Sequence, residues 1–354
     1  MLARVKVVVS PDSFTGTLAA ADAAKAIAFG WSSIRPDDEL MLVPMADGGE
    51  GTIEVVAAAV PGAQRHETAV LDARGRPISA GWLALPGGRA LIEVARACGL
   101  SQLAPEDRDP VTATSFGVGQ LILAARTAGH REVVVGLGGS ATVDGGAGAA
   151  HALGHGLVSR SGALERVHRG EPLGATVVAA ADVSSPLLGS DGAVACFAPQ
   201  KGASAADLPV LERSLERLAD IVERDLDGGP WRDLPGAGAA GGLGFGLAAF
   251  CGARIAPGAA IVAEFVGLAA ALDGASLVVT GEGALDRQTA TGKVPAYVLS
   301  LARPRGLKVL AIAGRLEDGA GDPFDAVAEL GADGLRRPAE LLTARATELA
   351  RSLV

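Results

Sequence analysis

The chain has 354 residues, of which 49 are glycine, 49% are hydrophobic and only 3% aromatic. Glycine at about twice its usual ~7% but without a period of three excludes collagen, and the apolar content excludes a disordered chain. The net charge of −9, from 31 basic and 40 acidic residues, excludes a general nucleic-acid binder, which needs a basic footprint.

The apolar run Val5–Val9 predicts a buried strand, broken by Pro11-Asp12-Ser13. Leu18, Ala24, Ile27 and Trp31 then keep one apolar helix face, with Thr17 placed to cap it and Gly30 to end it. Leu40–Val43 is a second strand, followed by Asp47-Gly48-Gly49-Glu50-Gly51 and a helix through Ile53–Ala59 that stops at Pro61-Gly62. Strand, loop and helix twice over imply right-handed βαβ units and a parallel sheet. Glu67–Leu71, Ile78–Leu85 and Ala90–Val94 then read as an antiparallel meander, so the domain changes near residue 65.

Ser115–Ala128 has helical spacing, and the strand Glu132–Val135 opens a cluster from Gly136 to Gly148. Val177–Ala181 is a strand ending at Asp182, and Leu208–Val222 is a charged amphipathic helix. Leu234–Ala253 carries no charge but is mostly glycine and alanine, so it reads as a loop running into a helix rather than a membrane span. The alternation returns with strand Leu277–Thr280, helix Val294–Leu301, strand Lys308–Ile312 and a closing helix Leu341–Leu353. The expected fold is α/β in two domains. A Rossmann-like parallel-sheet domain comes from both chain ends (1–65 and 272–354), with an inserted mixed α/β domain (66–271). Cys98, Cys196 and Cys251 form no CxxC pair, and no signal-peptide layout opens the chain. A reducing cytoplasm fits best.

Four glycine clusters stand after a strand or before a helix. They are Asp47 to Gly51, Gly138-Gly139-Ser140 through Asp144-Gly145-Gly146, Gly236 to Gly246, and Gly281-Glu282-Gly283. Glycine lets backbone N–H groups approach an anion, and a helix N-terminus adds donors and a positive dipole end. One such cluster reads as a turn or a close packing contact; four, with acids embedded, point to a phosphate ligand. A Walker loop is absent, because Arg287 fills the upstream glycine position of Gly292-Lys293 and Val294 follows. Gly236-Ala237-Gly238-Ala239-Ala240-Gly241 matches GxGxxG but follows Asp233-Leu234-Pro235 rather than a strand. Gly136 to Ala141 has the strand but no acid-ended strand about 20 residues later. An NAD(P)-dependent dehydrogenase of a small hydroxy acid therefore stands as runner-up, and a non-catalytic small-molecule sensor as a third class.

Asp12, Asp47, Asp144 and Asp182 lie beyond strand runs or in the glycine loops after them, and Asp286 follows a strand and the Gly281–Gly283 turn. Carboxylates there can hold Mg²⁺ beside substrate phosphates or act as a base; each alone could equally cap a helix or turn. Lys201, after Pro199-Gln200, and Lys293, before Val294-Pro295, are the candidate phosphate cations. His151 and His155 are spaced i, i+4 on an expected helix but lack the glutamate of HExxH, which favours a surface or helix-end pair over a metal pair. Ser140 sits in no GxSxG elbow.

Seven ordered segments carry a resemblance. They are Pro11 to Phe14; Pro44 to Thr52; Gly138 to Thr142; Asp144 to Gly148; Phe197 to Ala203; Pro235 to Gly244; and Thr280 to Gly283 with Asp286, Gln288-Thr289 and Gly292 to Pro295. With these the chain resembles the bacterial glycerate kinase type 1 family over nearly its whole length. The resemblance implies two α/β domains with an active cleft between them, and ATP-dependent phosphorylation of D-glycerate with Mg²⁺, chiefly to 2-phosphoglycerate, in the cytoplasm. The partner is then a small molecule, neither nucleic acid nor membrane, and a homo-oligomer is compatible. Asp182 or Asp286 would orient or deprotonate the glycerate hydroxyl, with Lys293 or Lys201 as cation. Gly138, Gly139, Ser140, Gly281, Glu282 and Gly283 would cradle ATP. Asp12, Ser13, Asp47, Gly48 and Gly49 would meet substrate, Asp47 and Asp144 would hold the metal, and Arg315 or Arg254 would face the glycerate carboxylate. Thr15 departs from the family, which usually has lysine there.

Overall fold

The computed structural model describes residues 4–14, 16–160, 163–286, 293–334 and 336–353. The expectations on Thr15, Gln288-Thr289 and Gly292 lie outside the described residues. The chain runs β1 (Lys6–Pro11), α1 (Ala20–Ser32), β2 (Glu39–Leu42), α2 (Thr52–Ala59), β3 (Gln64–Leu71), β4 (Pro77–Leu85), β5 (Arg89–Glu93), α3 (Ala95–Cys98) and α4 (Phe116–Thr127). It continues with β6 (Glu132–Gly136), α5 (Ala147–Ala152), β7 (Gly156–Arg160), β8 (Ala163–His168), β9 (Thr176–Ala180), α6 (Ala193–Phe197), α7 (Leu208–Asp225), α8 (Ala239–Cys251) and β10 (Arg254–Ala256). The last stretch holds α9 (Gly258–Val266), α10 (Leu268–Leu272), β11 (Leu277–Leu285), α11 (Val294–Ala302), β12 (Lys308–Leu316), β13 (Ala326–Glu329) and α12 (Pro338–Ser352). Two compact units result: Met1–Asp47, Glu54–Val60 and Ala259–Val354 form one, and Gly48–Ile53 with Pro61–Gly258 the other.

In the first unit the described strands pair in parallel in the order β13-β12-β11-β1-β2. Numbered within the unit, that order is 2-1-3-4-5, and the winding reverses between β1 and β11, where open α/β sheets place their ligand crevice. Val7, Val8 and Val9 are all fully buried because both faces of the sheet are covered, as a continuous apolar strand requires. On one face Val7, Val9, Val279 and Ile312 meet Ile27 and Trp31 of α1 and Leu342 and Ala346 of α12.

Two helix-end expectations give way. Thr17 donates its hydroxyl to Phe14 O at 2.7 Å, closing the preceding turn, so α1 starts later, after Ala19, without a side-chain cap. Gly30 lies inside α1, not at its end; a Cβ there would run into Thr343 O of α12. The glycine is a packing device between two helices.

In the second unit β5, β6, β9 and β10 are parallel and the meander β3-β4-β5 is antiparallel, giving the order β10-β9-β6-β5-β4-β3. Ile92, Val133, Val135, Leu121 and Ile122 form one core cluster. Leu211, Leu215, Leu218 and Val222 of α7 pack with Phe245 of α8 in another. The β7–β8 hairpin was not legible, because its strands are short and mix a few apolar residues, Leu157, Leu164 and Val167, which pack on the α7–α8 cluster, with exposed charged ones. The charge-free tract does run from loop into helix: Ala240, Gly241 and Gly242, at the start of α8, have φ of 53°, 68° and 88° and kink it before its regular turns begin. Among the described residues no helix is long and apolar enough to cross a membrane.

Candidate active site

The carboxyl ends of β1 and β11 place three acids together. Asp12 follows β1, and its N–H donates to Gly281 O at 2.8 Å, while Met45 N–H reaches Pro11 O at 2.9 Å. Thr280 Oγ1 donates to Ser10 O at 2.8 Å, and Ser13 N–H to Asp12 Oδ1 at 2.5 Å. These bonds fix the loop that carries Asp12. Burial pushes the Asp12 carboxyl well above the carboxylate range, and the charges of Asp47 and Glu282 add to that push, against the hydrogen bond from Ser13. Glu282 is itself buried, and the buried Ser10 Oγ has no partner among the described residues.

Gly281, Glu282 and Gly283 lie within β11, which continues its ladder with β12 to the pair Leu285–Leu316, and not in a turn after the strand. Gly281 is small because a Cβ there would strike Ile312 O of β12. Glu282 thereby becomes a strand residue that contributes charge beside Asp12.

Asp286 follows β11 and pairs with Lys293, Nζ to Oδ2 at 3.1 Å, with side chains 21% and 28% exposed. Lys293 immediately precedes α11, whose first turn holds Pro295. The ammonium thus stands at a helix N-terminus, a place suited to phosphate oxygens.

In the second unit the glycine loop after β6 is stacked on the segment Gly48–Glu50 of the same unit. A Cβ on Gly136 would meet Gly48 O, and one on Gly138 would meet the Gly49 backbone. Gly48, Gly49, Gly136 and Gly138 therefore allow two backbones to touch, a role that their sequence alone does not separate from anion binding. Gly139 has φ of +76° and faces the Glu50 side chain. Lys201 is buried and donates Nζ to Ser140 Oγ at 3.0 Å and to Thr142 O at 2.8 Å. Burial lowers its pKa to about 8, partly offset by Cys98 and Asp144. Cys98 beside it is pushed up to about 12, chiefly by burial.

Asp144 accepts from Ser115 N–H and Oγ–H, both at 2.8 Å, and from Gly146 and Gly148 N–H, both at 3.1 Å. It ties the loop before α4 to the start of α5, and four protein donors on its carboxylate argue against a metal there. Asp182 Oδ1 accepts from Gly258 N–H at 2.8 Å at the start of α9, which gives it a capping contact. Asp182 and Asp286 are therefore both held in positioning contacts.

His151 lies on α5, edge-on to Phe116, whereas His155 lies beyond the helix and accepts from Gly170 N–H at 3.0 Å through Nδ1. The two do not form a metal pair. Arg315 is 73% exposed with its nearest carboxylate, Glu317, at 4.0 Å, and Arg254 opens β10 on the exposed side. Sequence reasoning passed over Glu93 at the end of β5. It is buried, accepts from Ile53 N–H at 2.7 Å and holds Arg96 at 2.9 Å. An acid closing the apolar run Ala90–Ile92 was the available signal.

Asp12, Asp47 and Glu282 offer oxygen donors and like charge close together, a combination that fits Mg²⁺. They are no ready-made cage: among the described residues no group of three or more His, Cys, Asp or Glu could hold a metal ion by itself. Mg²⁺ commonly takes one or two carboxylates and completes its shell with water and phosphate oxygens.

Residues 7–350 match the model of the glycerate kinase family. The chain is 40% identical over 333 residues to the glycerate 2-kinase of Escherichia coli K12, covering 90% of this chain and 87% of that protein. It is 40% identical over 328 residues to the glycerate kinase of Bacillus subtilis 168, covering 88% and 85%. A crystal structure of a protein assigned as glycerate kinase 2 from Salmonella typhimurium LT2 superposes with a TM-score of 0.84 at 37% identity, over 99% of this chain and 98% of the other. The α/β architecture, the ordered motifs and the acidic switch point of the first sheet thus meet in one conclusion: the chain belongs to the glycerate kinase family.

Proposed function

We propose that this protein phosphorylates D-glycerate with ATP in the cytoplasm and forms 2-phosphoglycerate. The observation that carries the reading is the convergence of Asp12, Asp47 and Glu282 at the β1–β11 switch point, in a member of the glycerate kinase family. Phosphoryl transfer passes through a loose transition state, so a protein contributes mainly positioning and charge neutralisation and little covalent chemistry. Asp12 and Asp47, beside Glu282, would hold Mg²⁺, which when bound neutralises phosphate charge. Lys293, kept in place by Asp286, and the N-terminus of α11 would receive phosphate oxygens. Ser13, whose N–H donates to Asp12, would orient the small hydroxy acid. Lys201 would shape the Gly138–Thr142 loop from beneath and not touch the nucleotide.

The dehydrogenase reading gains no support. The GxGxxG tract does not follow a strand, and Gly238 and Gly241 pack against Pro186 O and Thr142 O. The direct test incubates the purified protein with ATP, Mg²⁺ and D-glycerate, follows ADP and identifies the product by ³¹P NMR. Glycerate-dependent ADP with the phosphate on the 2-hydroxyl is expected. ADP formation indifferent to glycerate would overturn the activity, and a 3-phosphate product would overturn the regiochemistry alone.

A further inference from the structure

The second unit has a cavity of about 720 Å³ at the amino ends of β6 and β9, bounded also by the end of α8. Its size lies within the range of small-molecule sites. Each of these strands has five residues, so about 16 Å at ~3.3 Å per residue separates it from their carboxyl ends and the Gly138–Thr142 loop.

Its lining combines an apolar wall, including Leu173 and Phe250, with Arg131, Arg169 and His155; Glu171 is the one carboxylate among the lining residues. His155 is 7% exposed. Because Gly170 N–H donates to its Nδ1 at 3.0 Å, the neutral ring carries its proton on Nε2. Nε2 has no hydrogen-bond partner among the described residues and is not one of the buried unsatisfied atoms, so its N–H is open to an acceptor entering the cavity. Arg169 is steadied through Nη2 on Asp227 O at 2.9 Å, and its charge is close enough to act on both His155 and Cys251.

We propose that this cavity binds a small organic anion, whose carboxylate or phosphate oxygens meet Arg131, Arg169 and the Nε2–H of His155 while its carbon skeleton lies on Leu173 and Phe250. Two guanidiniums against one carboxylate leave the site net positive, and charge-assisted bonds to guanidinium select anionic oxygens. The site is independent of the proposed kinase chemistry.

The chain has five histidines, so side-chain NMR resolves His155 directly. The full-length protein is titrated separately with succinate and with inorganic phosphate. The His155 resonance is expected to move saturably with at least one of them, which also tells carboxylate from phosphate preference. Arg169→Gln, an exposed substitution, should weaken that response at least about tenfold, the loss of one charge-assisted contact. A His155 signal unmoved by either anion, or a response unchanged in Arg169→Gln, would overturn the proposal. Neither readout depends on glycerate turnover.

Discussion

Lys201 Nζ lies 3.0 Å from Ser140 Oγ, and both groups are buried. A lysine expected to reach a nucleotide instead braces, from inside the protein, the loop expected to cradle it. Lys201→Met would leave Ser140 Oγ and Thr142 O without that donor, at a cost of about 2–4 kcal/mol for two buried groups. Chemical denaturation measures it. In the active-site reading the same variant raises KM for ATP more than it lowers kcat, because the loop is loosened and no reacting group is removed.

The Lys201 ammonium also has a pH signature. Burial lowers its pKa from 10.5 to about 8, so between these values the unfolded chain holds a proton that the folded chain has released. The Lys201 contribution to stability therefore rises as pH increases from about 8 to about 10.5 and is flat below that window. Melting temperatures of wild type and Lys201→Met, compared across this range, should diverge as pH rises, the wild type gaining on the variant. A constant difference would show that the ammonium does not titrate there.

Asp12→Asn should separate stability from function. Burial and the charges of Asp47 and Glu282 raise the Asp12 pKa in the folded state, so Asp12 destabilises the fold increasingly as pH rises from the ordinary carboxylate value through the raised one. Asparagine removes that charge. The variant is expected to melt higher than wild type at pH 7, to gain less from added Mg²⁺ and to lose glycerate-dependent ADP formation. A variant that melts lower would contradict the charge-repulsion account.

Asp286→Asn should keep the fold, since its ion pair with Lys293 is partly exposed and such pairs contribute about 0–1 kcal/mol. Turnover is expected to fall strongly, and Lys293→Met should show a similar loss, because the pair acts as one unit. Steady-state kinetics of both single variants and the double variant decide this: additive losses would separate the two residues.

Gly30→Ala tests the packing of α1 on α12. Alanine favours a helix over glycine by about 1 kcal/mol, yet its Cβ would enter the space of Thr343 O. Overpacking of ~1–3 kcal/mol exceeds or cancels that gain, so a lower melting temperature is expected. A higher one would mean that the helices can separate without penalty.

Much of the architecture follows from local pattern. The β-branched run Val7–Val9, the helical spacing of Val118, Leu121, Ile122 and Ala125, and the meander before β6 each reflect burial of one strand or helix face, which periodicity records. Short strands such as β7 and β8, which set only a few apolar residues on the core among exposed charged ones, leave no clear apolar period and could not be read. The acids at strand ends were legible as residues but not by role. Asp144 and Asp12 look alike in sequence, yet one carboxylate is filled by four protein donors and the other faces two like charges. The glycines divide in the same way: Gly30, Gly136 and Gly138 admit a neighbouring backbone, a need created only when distant segments meet. Sequence by itself determined the α/β class, the order of the motifs and the family they resemble, because these rest on local burial and chain order. Which acid is repelled, which lysine is braced and which glycine is crowded were decided by the tertiary structure, because charge, desolvation and contact depend on what the fold brings within a few ångströms.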